Sequence, residues 1–179
     1  MTTTRPLRAS DIAELQAIDE VAHGDAWSTA AFGEQIQLDT VRHLVAEGDD
    51  CTIVGHAGLW RDGATWRITN VAVAAEAAGN GIATALLLEL LADPQDCDRV
   101  ELEVRPSNRG AQRLYNRFGF APIGIERGFY DRSDATGSRD ALVMAIAEPN
   151  SAAWRDRIDT LRQTTTQSTG NQSNRGEAA

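Results

Sequence analysis

Residues 70–91 of the chain read NVAVAAEAAGNGIATALLLELL. The alternating apolar residues at the start predict the end of a strand, and the leucines after Gly81 recur at helical spacing. A strand that passes through a glycine-containing loop into a helix leaves several backbone N–H groups unpaired at the positive end of the helix dipole. Such an arrangement binds anions, and a pyrophosphate is its usual ligand. The alternative is a plain turn in which Gly79 and Gly81 only permit a positive φ.

Two common phosphate-binding motifs do not fit this loop. A Walker A loop needs G-x-x-x-x-G-K-[ST], and the chain contains no lysine. The dinucleotide fingerprint needs a third glycine, where Ala83 or Thr84 stands, and it belongs to a first βαβ unit. An acidic residue does follow about 20 residues later, Glu101 or Glu103, as in the fingerprint. We reject the Walker A loop because it lacks the lysine, and the dinucleotide fingerprint because it lacks the third glycine and follows several strands.

The remaining periodic segments extend the strand–loop–helix unit in both directions. Strand patterns occupy residues 4–8, 43–46, 52–60, 65–73, 100–104, 123–129 and 141–146, and helical patterns occupy residues 11–21, 28–36, 82–91 and 109–118. The first helix has a candidate capping box, Asp11 with Glu14. Its apolar stripe consists of Ile12, Leu15, Ile18 and Val21. The order β-α-α-β-β-β-α-β-α-β-β predicts an α/β fold whose sheet begins with antiparallel strands.

The C-terminal segment has a different composition. From Gln163 onwards Thr, Gln, Ser, Asn and Gly dominate, and such a stretch buries too little apolar surface to offset its ordering entropy. We therefore expect one folded domain over residues 1–149 and a polar, disordered tail over residues 150–179. A short helix at residues 152–161 is the alternative for the start of this tail, because Trp154, Ile158 and Leu161 would share one side of it.

The charge balance narrows the choice of partners. Residues 1–148 hold 23 acidic residues and 13 arginines, which gives a net charge of −10. An acidic surface repels phosphate backbones and anionic membranes, so we expect neither nucleic acid nor a membrane as a partner. A cationic partner, such as an amine, a peptide N-terminus or a basic protein, fits better.

Composition also predicts the compartment and excludes some kinds of site. No run of 18 apolar residues predicts a membrane-spanning helix, and residues 1–8 lack the apolar core of a secretory signal. Cys51 and Cys97 form no CxxC pair, and together with three scattered histidines they give no zinc-binding pattern. We therefore expect a cytoplasmic protein with no metal site.

A second informative stretch lies at residues 100–120. Strand alternation places Val100, Leu102 and Val104 on one face and Glu101 and Glu103 on the other. From the residues alone, a solvated strand face accounts for these glutamates, most plainly for Glu101. Tyr115 lies in the apolar stripe of the following helix, so the pattern by itself indicates a packed core tyrosine.

Three motifs together resemble one family. The loop at 79–84, LEVRxSN at 102–108 and LYxxxGF at 114–120 are similar to the GNAT superfamily of acetyl-CoA-dependent N-acetyltransferases. More narrowly, they resemble RimI-type ribosomal-protein-alanine N-acetyltransferases, which modify the N-terminal alanine of a small-subunit ribosomal protein. The stretches AWS at 26–28, RGFY at 127–130 and RDALVM at 139–144 agree, so the likeness covers residues 4–147. The resemblance implies a mixed central sheet with helices on both faces and acetyl-CoA as the co-substrate.

The resemblance also implies a role for individual residues. Glu103 would be the general base and Tyr115 the general acid of a direct attack on the thioester, with no acyl-enzyme. Residues 127–139 would border the peptide cleft. The implied contacts to acetyl-CoA come from the backbone of Val71, Ala72 and Val73 to the pantetheine arm and acetyl carbonyl, from Gly79, Asn80, Gly81, Ile82, Ala83 and Thr84 to the pyrophosphate, and from Asn108 near the thioester.

Two other functions stay open at this point. An acetyltransferase for a small amine, such as a polyamine or an aminoglycoside, would suit the acidic surface. A non-catalytic acyl-CoA-binding module would keep the glycine loop but lose Glu103 or Tyr115, and both are present. The loop departs from the family pattern, because Ala78 and Asn80 stand where Arg or Gln is usual, so fewer charge-assisted bonds to phosphate are expected.

Overall fold

The computed structural model describes residues 2–23, 27–94 and 96–173. The elements are β1 (Thr3–Pro6), α1 (Ile12–His23), α2 (Thr29–Gln37), β2 (Val41–Glu47), β3 (Ile53–Asp62), β4 (Thr65–Val73), α3 (Ile82–Leu90), β5 (Arg99–Val104), α4 (Arg109–Phe118), β6 (Ala121–Glu126), β7 (Ala141–Ala147) and α5 (Ala152–Ser173). Short 3-10 turns lie at Ala9–Asp11 and Ala75–Ala77. Within these ranges, no helix combines the length and the apolarity needed to cross a membrane.

All seven strands form one sheet in the order β1-β2-β3-β4-β5-β7-β6. The pair β4–β5 is parallel and is connected through α3, whereas the other neighbours are antiparallel. The predicted α/β fold with a mixed sheet and an antiparallel start is therefore confirmed.

Helices cover both faces of the sheet. On β2, Leu44 and Ala46 belong to a large apolar cluster and the intervening Val45 to a smaller one, so the two clusters lie on opposite faces. The large cluster packs residues of α3, α4 and α5 against the sheet, and the smaller one packs α1 and α2. The predicted arrangement of helices on both faces is confirmed.

A bulge in β4 changes which residues face each layer. Gly58 of β3 lies opposite Asn70 and Leu59 lies opposite Ile68, so Thr69 is an extra residue in β4. A one-residue insertion moves the following side chains to the other face of a sheet. Accordingly Ile68 belongs to the large cluster, whereas Ala72 belongs to the cluster beneath α1 and α2.

Because of this bulge, Asn70 meets a buried polar network on the α1 side of the sheet. Its Nδ2 lies 3.0 Å from both carboxylate oxygens of Asp19, and His56 Nε2 lies 3.0 Å from Asp19 Oδ1. His56 Nδ1 lies 3.0 Å from His43 Nε2, and His43 Nδ1 lies 2.9 Å from Gln35 Oε1. Burial, with a further contribution from His56, lowers the pKa of His43 to about 3. The network joins α1 and α2 to β2, β3 and β4.

The expected domain boundary at residue 149 is wrong. Trp154, Ile158 and Leu161 are buried and belong to the large cluster, and Trp154 Nε1 donates a hydrogen bond to the Phe118 carbonyl at 3.1 Å. The helix runs on to Ser173, so a disordered tail over residues 150–173 is also wrong, and residues 174–179 lie outside the described ranges. Three apolar side chains at helical spacing outweigh the polar average composition of the segment.

Some predicted features around α1 differ in the structure. Val21 is exposed, so it does not belong to the apolar stripe of this helix. Asp11 and Glu14 do not form the predicted capping box, because Asp11 pairs with Arg5 at 2.7 Å and Glu14 accepts a hydrogen bond from the Ile53 amide at 2.9 Å. Ala26, which opens the AWS stretch, lies outside the described residues.

Candidate active site

The sheet opens between its two parallel strands. Residues Thr65 to Ile68 of β4 pair with Arg99 to Leu102 of β5, and the pairing ends there. β4 continues along β3 as far as Val73, while β5 continues along β7 as far as Val104. In the described part of the chain, the edge of residues 69–73 that faces β5 therefore has no strand partner. Val71, Ala72 and Val73 lie on this edge, and its unpaired backbone groups can bind a ligand.

The loop after β4 ends in an uncapped helix N-terminus. Gly79 and Gly81 have φ values of 81° and 79°, and Gly81 is the N-cap of α3. The N–H groups of Ile82, Ala83 and Thr84 have no acceptor within the helix, because they belong to its first turn. A Cβ atom placed on either glycine would meet no atom within 4 Å, so the space above the loop is open. Asn80 donates from Nδ2 to the Ala77 carbonyl at 3.2 Å and braces the loop.

Glu103 lies at the start of the opening, on the face opposite the large apolar cluster. Its side chain is 9% exposed, and its Oε1 lies 3.3 Å from Arg67 Nη1 of β4. Burial raises the pKa of Glu103 above its ordinary value, Arg67 opposes the rise, and the charges of Glu126 and Glu101 add to it. A carboxylate with a raised pKa is well suited to accept a proton near neutral pH.

Glu101 shares this face, as the strand alternation predicted. It contacts Arg99 Nη1 at 3.1 Å and Arg67 Nη2 at 3.7 Å, so it is ion-paired as well as partly solvated. Sequence reasoning missed Arg67, because the lateral register that places it opposite Glu101 is set by the fold.

Tyr115 packs within the large cluster. Its ring lies edge-on to Phe120 with the centroids 5.7 Å apart, and burial raises the pKa of the phenol far above its ordinary value. The ring of Tyr115 is therefore packed in the core, as the pattern of its helix indicated. A phenol that stays protonated at neutral pH still has a proton to donate, so packing is compatible with an acid role.

Asn108 is the N-cap of α4. Its Oδ1 accepts a hydrogen bond from the Ala111 amide at 3.0 Å, which leaves the Nδ2 group for other contacts. The side chain therefore has a structural role that the sequence motif did not indicate.

The loop between β6 and β7 is fixed to the end of β5. The Arg105 guanidinium stacks on the Tyr130 ring at 3.9 Å from its centroid, and its Nη2 donates to the Arg132 carbonyl at 3.0 Å. Ser107 Oγ donates to Asp134 Oδ2 at 2.5 Å. Arg105 and Ser107 of the LEVRxSN motif thus anchor this loop at Tyr130, Arg132 and Asp134, a role that sequence reasoning missed.

This combination of features defines a class of protein. An open strand edge, an uncapped helix N-terminus and a buried carboxylate lie around one opening in the sheet. The helix N-terminus suits a pyrophosphate, the strand edge suits an extended amide-containing arm, and the carboxylate suits removal of a proton from a nucleophile. These are the requirements of an acyltransferase that uses a coenzyme A thioester.

Comparison with known proteins identifies the family. The model of the acetyltransferase (GNAT) family matches residues 12–120. The chain is 36% identical over 115 residues to the N-alpha-acetyltransferase RimI of Mycobacterium tuberculosis, covering 62% of this chain and 72% of that protein. It is 28% identical to the ribosomal protein bS18-alanine N-acetyltransferase of Escherichia coli K12, covering 82% of this chain and 97% of that protein. The protein belongs to the GNAT family and is an N-acetyltransferase.

A solved structure agrees with this assignment. The crystal structure of the ribosomal-protein-S18-alanine N-acetyltransferase from Escherichia coli superposes with a TM-score of 0.72 at 26% identity, covering 82% of this chain and 94% of that one. Enzymes of the GNAT family take their acetyl group from acetyl-CoA.

Proposed function

We propose that this protein is an Nα-acetyltransferase that transfers the acetyl group of acetyl-CoA to the N-terminal amine of a ribosomal protein, with alanine as the first residue. The names of the relatives from Mycobacterium tuberculosis and Escherichia coli support both the bond and the substrate. The observation that carries the proposal is the nearly buried Glu103 carboxylate beside the open edge of β4. The net charge of −10 over residues 1–148 also suits a cationic N-terminus and a basic partner.

The residues around the opening fit acetyl-CoA. The open space above Gly79 and Gly81 and the first-turn N–H groups of α3 suit the pyrophosphate, which the backbone of residues 79–84 would hold. The free edge formed by Val71, Ala72 and Val73 would hold the pantetheine arm, and Asn108 would contact it near the thioester. Bound acetyl-CoA supplies an activated acetyl group.

The chain's own groups then perform three tasks. Glu103 accepts the proton of the ammonium, directly or through water, and an N-terminal amine with a pKa of about 7.7–8.0 loses it readily near neutral pH. Backbone N–H groups of the β4 edge stabilise the negative charge that develops on the acetyl oxygen. Tyr115 donates its phenolic proton to the departing sulfur, and the phenolate regains a proton, directly or through water, from the nitrogen, which loses its second proton as the amide forms.

The cysteines support a direct attack without an acyl-enzyme. The Cys97 thiol is buried and donates to the Arg99 carbonyl at 3.2 Å, and burial raises its pKa. Cys51 is exposed on the loop between β2 and β3. A thiol with a raised pKa is a poor nucleophile, so Cys97 is unsuited to covalent catalysis.

A ribosomal substrate would place the reaction in the cytoplasm.

The test is an acetylation assay with matched amines. The full chain is incubated with acetyl-CoA and with peptides that differ only in their first residue, and separately with spermidine, and products are identified by mass. We expect acetylation of the α-amine of the peptide that begins with alanine. Glu103→Gln should lower kcat by about 10²–10⁴-fold, because an amide cannot accept the proton, while calorimetry shows an unchanged affinity for acetyl-CoA.

The contrary outcomes are distinct. Acetylation of spermidine but of no peptide would replace this proposal by a small-amine acetyltransferase. Binding of acetyl-CoA without release of coenzyme A in the presence of any of these amines would indicate a binding module.

A further inference from the structure

We propose that Arg67 is a positioning residue for Glu103: it holds this carboxylate ionised and against the β4 side of the opening. The inference rests on the proposed function, because it takes Glu103 to be the base. Nothing in the sequence motifs or in the names of the relatives assigns a role to Arg67.

Arg67 joins two carboxylates across the parallel strands. The strand register places it directly opposite Glu101, and its guanidinium also reaches Glu103 on the diagonal. Nη1 lies 3.3 Å from Glu103 Oε1, and Nη2 lies 3.7 Å from Glu101 Oε2. Arg99 contacts the other oxygen of Glu101 at 3.1 Å. The four side chains form a ladder of alternating charge, which we call the β4–β5 charge ladder, and it ends at Glu103.

The surroundings of Glu103 explain why a cation is needed there. Burial by itself favours the neutral acid, and a neutral acid cannot take a proton from the substrate amine. The other groups that act on Glu103 in the described ranges are Glu101 on its own strand, Glu126 on β6 and Tyr130 in the following loop. None of these three is a cation, so Arg67 is the charged neighbour that favours the ionised form, and a hydrogen bond from the backbone N–H of Glu103 acts in the same direction.

The position of the Arg67 guanidinium leaves one of its hydrogen-bond donors unsatisfied. Arg67 Nε is one of three buried side-chain polar atoms in the described ranges that have no hydrogen-bond partner. An arginine free to turn into solvent would satisfy that atom with water, and the two carboxylates prevent it from doing so. The arrangement favours contact with Glu103 over full solvation of Arg67.

Two substitutions should move the pH dependence in opposite directions. Arg67→Gln removes the cation, so Glu103 stays protonated to higher pH. The acidic midpoint of kcat/KM should therefore rise by about one pH unit, which is the smallest shift usual for a carboxylate that loses a neighbouring arginine. Glu101→Gln removes a like charge and the second carboxylate that competes for Arg67, so the midpoint should fall. Arg42→Gln breaks an exposed pair with Glu89 and is the matched control that should leave the midpoint unchanged.

The experiment measures coenzyme A release by the full-length variants from pH 5 to 9, with acetyl-CoA and the accepted peptide. Below the midpoint, a shift of about one unit should lower the Arg67→Gln rate about tenfold, and the rate should recover at high pH. Carbon NMR of the Glu103 carboxyl follows the same titration without any substrate.

These readouts separate the two proposals. An unshifted Glu103 titration in Arg67→Gln, or shifts of the same sign in both variants, would overturn the role of Arg67 whatever the substrate is. A shifted NMR titration combined with a fully active Glu103→Gln enzyme would confirm the electrostatic coupling but refute Glu103 as the base, and with it the role of Arg67 in catalysis.

Discussion

Removal of α5 should unfold a large part of the population of this protein. A chain that ends at Asn150 loses Trp154, Ile158 and Leu161, which are 6%, 3% and 8% exposed in the intact domain. Burial of a large apolar side chain contributes about 1.5–3 kcal/mol, so the three together contribute about 5–9 kcal/mol as an upper estimate. Truncation also removes the indole donor of the Phe118 carbonyl. The total is comparable to the whole net stability of a typical domain, about 5–15 kcal/mol.

The measurement is urea unfolding followed by far-ultraviolet circular dichroism, because the truncated chain lacks one of the tryptophans. The matched control is a chain that ends at Thr165, which keeps the buried residues of α5 and should retain the midpoint of the intact protein. If the shortest chain fails to accumulate, Ile158→Ala in the full chain should still cost about 2–5 kcal/mol. A chain ending at Asn150 with an unchanged midpoint would show that α5 does not contribute to the core.

Three further predictions follow from the site and the core. Gly81→Val should weaken acetyl-CoA binding in a calorimetric titration, because a β-branched residue resists φ near 79°, whereas Gly33→Ala in α2 should leave it unchanged. Tyr115→Phe should keep the fold within about 1–2 kcal/mol and lower kcat about 10²-fold at unchanged KM; an unaltered kcat would leave Tyr115 as a core residue only. His43 stays neutral in the folded protein but binds a proton below about pH 6.5 in the unfolded chain. The free energy of unfolding should therefore fall by about 2 kcal/mol from pH 7 to 5. In urea titrations at different pH values, His43→Asn should lose this contribution to the pH dependence of the free energy of unfolding.

The elements that local pattern could predict are the ones with strong periodicity and clear ends. β4 has the predicted bounds because its alternating pattern ends at a loop. α4 has the predicted bounds because Asn108 and Gly119 delimit the helix. For α5 the pattern offered a short helix at residues 152–161 only as an alternative, because its apolar residues are few and lie within a polar sequence, and neither its length nor its place in the core was predicted. What stabilises it is contact with α3 and α4, which lie far away along the chain.

The same limit applies to the candidate site. The motifs singled out Glu103 and the glycine loop, and the fold brings them together because the loop follows β4 and Glu103 lies in the neighbouring β5. Arg67 could not be found in this way, because its contact with Glu103 depends on the lateral register of two strands separated by a whole helix. The contact of Asn70 with Asp19 depends in the same way on tertiary structure, because the bulge in β4 turns Asn70 towards α1.

The charge ladder has a chemical consequence for an enzyme that handles an activated acyl group. The 17 basic residues of the chain are all arginines, and a guanidinium keeps its proton at any physiological pH, so it has no free lone pair. A lysine at position 67 would place a primary amine within reach of the carboxylate meant to deprotonate the substrate. That amine would then compete with the substrate and be modified itself. With arginine in this position, positive charge stands beside the proposed base without offering a second nucleophile, so position 67 cannot compete with the substrate amine for the acetyl group.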